Sequence, residues 1–408
     1  MILKETLRNI VKSQKENLSQ FEEGIEREKI KEIDLDMSFA VIVSGIRRSG
    51  KSTLLRQLMK KTENFYYFNF EDPRAVGFDV SDFQRLDEVF HEEYGDSKQY
   101  FFDEIQNAEK WELFVRTLLD RKNHVFITGS NASLLSKELG TRLTGRHLTY
   151  ELFPFSFTEF LKIRSLKPSV KSFEEYFLKI GGFPEYIKTG KAEILQELLN
   201  DIIMRDIAVR YGLKNTEILR KMASYLLTNT GKEFSYNSLK KIFELGSTNT
   251  VISFISYFED SYLLFSVPKF EYSLKKQIVN PKKIYSIDNA MSIVNSISFS
   301  EDNGRMLENI VFIELKKRYK DIFFFRENGE CDFVVRDDTK IRKAFQVCYN
   351  LNEENKNREI NGLLEAMEEF NLKQGIILTY NQGDELIIKG KKISLIPVWK
   401  WMLKKNSL

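Results

Sequence analysis

Apolar and polar positions change their period several times along this chain, and the changes divide it. Between residues 37 and 152 short apolar runs at 39–43, 64–70, 99–102, 125–128 and 147–152 alternate with longer mixed stretches. The runs read as buried strands, and the stretches at 53–60, from the cap Ser81 to Tyr94, and at 111–121 read as helices. Repeated β-α-β units of this kind predict a parallel sheet covered on both faces, with ligands at the carboxyl ends of its strands. Ahead of it, Ile2, Leu3, Leu7, Ile10 and Val11 make one apolar stripe in a charged segment, which predicts a leader helix packed on the next domain. Residues 153–212 read as helices without strands, interrupted at Gly181 and Gly182. Helices at 217–227, 236–245 and 248–257 follow, the last capped by Ser247, and then a hairpin carrying Val267 and Phe270. The remainder, 281–402, predicts a helix at 306–317, strands at 323–325, 332–335, 344–348 and 375–379, and a helix at 359–370 crossing between the last two. The fold class is α/β.

Polar residues with chemistry to offer fall where the first sheet should end its strands. Gly45-Ile46-Arg47-Arg48-Ser49-Gly50-Lys51-Ser52 fits the phosphate-binding pattern G-x-x-x-x-G-K-[ST], between a strand and a helix. The two glycines let backbone N–H groups and the helix start, through Ser49 and Thr53, face an anion. Lys51 is placed for the β and γ phosphates of ATP, and the Ser52 hydroxyl for Mg²⁺. Arg48, like Arg47, is either solvated or in contact with phosphate. About 50 residues later, Tyr100-Phe101-Phe102-Asp103-Glu104 brings two acids to a strand end. Asp103 there holds Mg²⁺, and Glu104 polarises the attacking water. After the fourth strand Ser130, and next Asn131, is the candidate that senses the γ-phosphate, unless it only caps the following helix. Arg142 and Arg146, on a glycine-bounded loop, are candidates to reach the nucleotide of a neighbouring subunit, against the alternative of a plain surface arginine.

Composition sets limits on this picture. With 408 residues, 42% apolar and 30% charged, the chain suits a globular protein of several domains. A net charge of +3 leaves any basic surface local. Two cysteines, Cys331 and Cys348, without metal-ligand spacing argue for a reducing compartment and against a disulfide framework or zinc site. No run approaches membrane-spanning length, and the charged N-terminus does not read as a signal peptide. A cytoplasmic protein without a membrane partner is expected.

Several motifs together resemble a family of prokaryotic, archaeal-type AAA+ ATPases. They are the P-loop, Phe102-Asp103-Glu104, Thr128-Gly129-Ser130, Phe68-Asn69-Phe70-Glu71-Asp72-Pro73 and the run from Gly145-Arg146 to Glu159-Phe160. Gly181-Gly182-Phe183-Pro184-Glu185 and Met204-Arg205-Asp206-Ile207 belong to the same resemblance. It implies a leader (1–36), a P-loop ATPase core (37–152), a helical lid (153–212), a winged helix-turn-helix (213–280) and a restriction-endonuclease-like α/β domain (281–408). In the lid, one of Arg205 and Arg210 approaches nucleotide or DNA, or else pairs internally with an acid such as Asp206. In the winged helix, Asn249 and Thr250 open the recognition helix, which has no Lys or Arg. Phosphate contact then falls to Lys269, Lys275, Lys276, Lys282 and Lys283, or these form a solvated face. In the last domain Glu308 and Asp332 match two metal-site positions of such nucleases, with Glu330 on the same strand face as Asp332. The third position reads Gln346-Val347-Cys348, which offers neither a bridging carboxylate nor an ammonium, so an inactive nuclease-like domain is expected. The functional expectation is an ATPase, homo-oligomeric, coupling nucleotide state to DNA binding or remodelling. The alternatives are a nucleotide-switched scaffold for a protein partner and an ATP-regulated metal-dependent nuclease.

Overall fold

Five strands with inward-facing apolar residues build the first sheet: β1 (Ala40–Ser44), β2 (Tyr66–Asn69), β3 (Gln99–Asp103), β4 (His124–Gly129) and β5 (His147–Glu151). In this computed structural model, which describes residues 1–18, 20, 24–130, 145–297 and 302–404, their order is β2-β3-β4-β1-β5. Every neighbouring pair is parallel. Strand alternation gives each face its own core. Ile42, Phe68, Phe102 and Ile127 pack with residues of the Lys4–Leu18, Asp82–Tyr94 and Trp111–Asp120 helices. Val41, Val43, Phe101 and Phe126 pack with Leu54, Leu55 and Leu58 of the Lys51–Met59 helix. The leader docks as expected through Leu7, Ile10 and Val11, and its Lys4 and Arg8 pair with Glu88, Glu92 and Glu93. Leu3, expected in the stripe, lies before the helix and is 76% exposed. Ser81 makes no side-chain cap either. Its hydroxyl donates to Asp79, and the Asp82 carboxylate instead accepts the Asp79 and Ile2 N–H groups.

These elements make up one of two units, Met1–Phe153; the other is Pro154–Leu408. The second unit starts with helices, two of which widen into π-helix at Glu175–Ile180 and Ile202–Val209. Helix Glu217–Thr228, β6 (Glu233–Phe234), helices Tyr236–Ile242 and Thr248–Asp260, β7 (Leu264–Pro268), helix Leu274–Val279 and β8 (Lys282–Ser286) follow. The three strands form an antiparallel sheet in the order β6-β8-β7. Ser247 does cap its helix, accepting the Asn249 N–H at 3.1 Å. The expected hairpin differs in two ways. Phe270 lies beyond β7, donating its N–H to the Phe324 carbonyl and packing edge-on against Phe323 and Phe370. The return strand β8 runs past residue 280, so this sheet extends across the expected domain boundary.

A six-stranded sheet completes the unit: β9 (Asp321–Arg326), β10 (Glu330–Asp337), β11 (Lys340–Cys348), β12 (Gln374–Thr379), β13 (Asp384–Ile388) and β14 (Lys391–Pro397). Its order is β13-β14-β12-β11-β10-β9. The pairs β11–β12 and β12–β14 are parallel and the others antiparallel. Helix Lys356–Glu369 makes the crossing from β11 to β12. Strands β13 and β14, mixed in polarity, escaped the reading of apolar runs. Within this unit the buried Asp288 carboxylate accepts N–H groups from Gly182, Ala290 and Met291, so the di-glycine loop is held by a later segment. Among the described residues no helix is long and apolar enough to cross a membrane.

Candidate functional site

The P-loop leaves β1 through Gly45, whose φ is +153° and where an added Cβ would meet the Leu152 carbonyl oxygen at 2.2 Å. Only glycine fits there. Gly50, at φ +95°, starts the Lys51–Met59 helix. Arg47 pairs with Glu71 at 3.5 Å, and Arg48 is exposed in a left-handed conformation at φ +62°. Lys51 is buried and folds back, its ammonium donating to the Gly45 and Ile46 carbonyls at 3.1 and 3.2 Å and standing 3.9 Å from Glu104. Thr53 follows, half-buried.

At the end of β3 the buried Asp103 carboxylate accepts the Ser52 hydroxyl at 3.2 Å, the Thr128 hydroxyl, and the Tyr67 hydroxyl at 3.4 Å. Burial raises its pKa, the negative charge of Glu104 adds to this, and the hydroxyls with Lys51 oppose it. Glu104 sits in the left-handed region at φ +52°, an uncommon conformation for a residue with a Cβ. Its N–H is held by the Thr128 hydroxyl at 2.9 Å and its carboxylate accepts the Gln106 amide. The turn therefore aims the second acid back towards Lys51. Ser130, 2% exposed, and Ser49 both carry buried hydroxyls without a hydrogen-bond partner among the described residues. Orphaned donors are costly in a finished core and useful around a ligand. Orphaned hydroxyls in the loop and at the end of β4, a lysine whose ammonium donates to two carbonyls, and a buried acid beside Ser52 suit a magnesium-bound triphosphate.

Three supporting roles went unread in the sequence. Arg27, 3% exposed, donates to the carbonyls of Ser49 at 2.6 Å and Phe153 at 2.8 Å, fixing the loop's outer side. Tyr67 and Thr128 hold Asp103. Nothing local marks Arg27, one basic residue in a charged leader. Arg146 is elsewhere. Its carbonyl accepts the Ala40 N–H, which places it at the amino edge of the sheet, a strand length of ~17 Å from the P-loop edge. Its guanidinium pairs with Asp120 at 2.5 Å, and this pairing lowers the Asp120 pKa. Asn131 and Arg142 lie outside the described residues.

In the second unit Glu308, Glu330, Asp332 and Gln346 do come together, lining a cleft of about 590 Å³. One expected DNA contact is corrected by it. Lys283 is 4% exposed, because the alternation of β8 turns it inward, and its ammonium pairs with Glu308, Glu330 and Asp332. Burial opposes that charge, but the surrounding acids hold its pKa well above the usual lysine value. Burial and then Glu308 push Asp332 up to about 7. Of the other lysines, Lys282 donates to the Tyr236 hydroxyl and Lys269 pairs with Glu271 and Glu327, while Lys275 and Lys276 are exposed. Asn249 is exposed and Thr250 half-buried. Arg205 pairs with Asp201 at 3.4 Å, not with its neighbour Asp206.

A family model described as an AAA domain matches residues 38–161, and one for a domain of unknown function (DUF8612) matches 170–298. The chain is 36% identical to the uncharacterized protein MJ1544 of Methanocaldococcus jannaschii, over 91% of this chain and 90% of that one. It is 30% identical to an uncharacterized protein of Haemophilus influenzae, over 90% of this chain and 95% of that one. AMPPCP-bound DnaA from Aquifex aeolicus is 18% identical, covering 59% of this chain and 90% of its own, with a TM-score of 0.31, below what a shared fold requires. The chain belongs to the P-loop AAA-type family that includes the Methanocaldococcus jannaschii protein MJ1544.

Proposed function

We propose that this protein is a magnesium-dependent ATPase whose nucleotide state sets how its second unit grips DNA. The observation that carries the reading is the pairing of a carbonyl-held Lys51 with orphaned hydroxyls at Ser49 and Ser130 around the buried Asp103. Magnesium-bound ATP supplies a γ-phosphoryl group whose charge is spread over oxygens as it leaves. Lys51 meets that charge, Ser52 and Asp103 hold the metal, Glu104 orients water, and Ser130 donates to the phosphate. Arg146 lies too far away to serve its own site, so it acts only across an interface of a homo-oligomer, as does Arg142.

The helix-strand-helix-helix-strand-helix-strand order of residues 217–286, with its three strands in one antiparallel sheet, supports a winged helix whose wing carries an added short helix, with Asn249, Lys275 and Lys276 as its exposed polar contacts. The six-stranded mixed sheet supports a nuclease-like domain, and the engaged Gln346 supports its inactivity. A second reading, a nucleotide-switched protein scaffold, is favoured by exposed Tyr272, Leu274, Ile278 and Val279 beside those two lysines. Turnover of ATP with and without duplex or branched DNA, at low and physiological salt, tests the choice. Salt-sensitive stimulation by DNA supports the first reading. Turnover indifferent to every DNA, with a protein partner released by ATP, supports the second. Retention of ATP with hydrolysis slowed at least ~100-fold is expected of Glu104→Gln, and loss of binding of Lys51→Ala. Turnover that survives both substitutions overturns the ATPase site itself.

A further inference from the structure

The acidic cleft of the second unit lies where a restriction-endonuclease-like fold would hold a divalent cation, and its residues do not fit one. Lys283, buried on β8, donates to three of the residues at this cleft, Glu308 at 2.8 Å, Glu330 at 2.7 Å and Asp332 at 3.1 Å, engaging all three of its protons. The second Asp332 oxygen accepts the Val347 N–H at 2.9 Å, and the second Glu330 oxygen holds Arg326. Glu308 also takes the Tyr285 hydroxyl at 2.6 Å. Gln346 accepts the Asp332 N–H at 3.2 Å and donates to Glu359 at 2.6 Å, whose other oxygen holds Arg358. None of these acids or the glutamine leaves an orphaned buried atom, unlike Ser49 and Ser130. Among the described residues no three acids, cysteines or histidines are arranged to hold a metal.

We propose that Lys283 is a built-in cation in the place of a divalent metal, making this cleft a structural joint and not a hydrolytic centre. The joint ties β8 to the Asn303–Arg318 helix and to β10, so the three-stranded and six-stranded sheets of the second unit are locked through one ammonium. The inference rests on the inactive nuclease-like reading above, and it gives that inactivity a cause beyond the substituted Gln346-Val347-Cys348.

The test uses the full chain without nucleotide, with Mn²⁺ uptake followed by electron paramagnetic resonance and folding by calorimetry. The parent should take up no Mn²⁺ that depends on Asp332, so parent and Asp332→Asn should give the same titration. Lys283→Ala should melt lower, take up one Mn²⁺ per chain, and recover much of its lost melting temperature on doing so. Stoichiometric uptake by the parent that vanishes in Asp332→Asn would overturn the proposal. So would a folded Lys283→Ala that binds no Mn²⁺. If Lys283→Ala fails to fold with or without Mn²⁺, the parent titration decides alone. Plasmid cleavage accompanying uptake by the parent would sink the inactive-nuclease reading too, whereas uptake without cleavage sinks only the role of Lys283.

Discussion

Removing the hydroxyl of Ser130 should strengthen the nucleotide-free protein and weaken its catalysis. The Oγ atom is buried without a partner among the described residues, and such a hydroxyl costs ~1–3 kcal/mol relative to a satisfied one. Ser130→Ala deletes that cost and loses few contacts, so a gain of ~1 kcal/mol is expected, a rise of ~2–4 °C in melting temperature for a unit of this size. With magnesium and ATP the sign reverses. A hydroxyl donating to a charged phosphate oxygen contributes ~1.5–3 kcal/mol, so turnover should fall roughly 10- to 100-fold. Calorimetry of parent and variant, alone and with a non-hydrolysable ATP analogue, reads the first effect, and steady-state hydrolysis the second. If Ser130 instead acts only as a helix cap, the alternative read from the sequence, Ser130→Ala should destabilise the free protein by ~1 kcal/mol. A lower melting temperature without nucleotide, or unchanged turnover, refutes the assignment.

Arg27→Met should raise the KM for ATP at least tenfold with a smaller change in kcat, because Arg27 shapes the loop through Ser49 and does not face the reacting phosphate. It should also cost about 3 kcal/mol of stability, two charged hydrogen bonds being lost, and Arg27→Lys should recover part of each loss. An unchanged KM would remove Arg27 from the site. The pH prediction concerns Asp288, whose carboxyl is pushed from 3.8 up to about 6 mainly by burial, against three backbone N–H donors. A carboxyl that binds its proton more tightly when folded stabilises the protein below pH ~4, and this is lost as pH rises through 6, about 3 kcal/mol in all. His147, lowered by burial, works in the opposite direction over the same range. The readout is therefore the difference between parent and Asp288→Asn, with parent stability falling more steeply between pH 4 and 6.5. Equal slopes would dismiss the role of Asp288.

The first sheet and its P-loop were legible because their signals are local. An apolar run, a glycine pattern and a strand-end acid pair each occupy fewer than ten consecutive residues, and β-α-β order then fixes the neighbours. What supports them is not local. Arg27 meets Ser49 and Phe153 across 22 and 126 residues, and no periodicity records such an approach. Lys283 failed for a different reason. Lys282 and Lys283 were read as one basic pair, whereas a strand sends neighbours to opposite faces: Lys282 to Tyr236, and Lys283, with Tyr285 two positions on, to Glu308. The polar start of β8 hid a strand whose alternation would have separated them.

Two buried lysines in this chain make the general point sharper. The ammonium of Lys51 rests on neutral carbonyls at 3.1 and 3.2 Å, with the Glu104 carboxylate at 3.9 Å. That of Lys283 is gripped by three carboxylates between 2.7 and 3.1 Å. A carboxylate adds to such a hydrogen bond the Coulombic attraction of an opposite charge, which a neutral carbonyl does not supply. A phosphate arriving at Lys51 therefore offers it more than it gives up, while nothing arriving at Lys283 does. One residue type is thus poised to bind in one unit and committed to the fold in the other. The difference lies in the acceptors around each ammonium, which only tertiary structure brings into place.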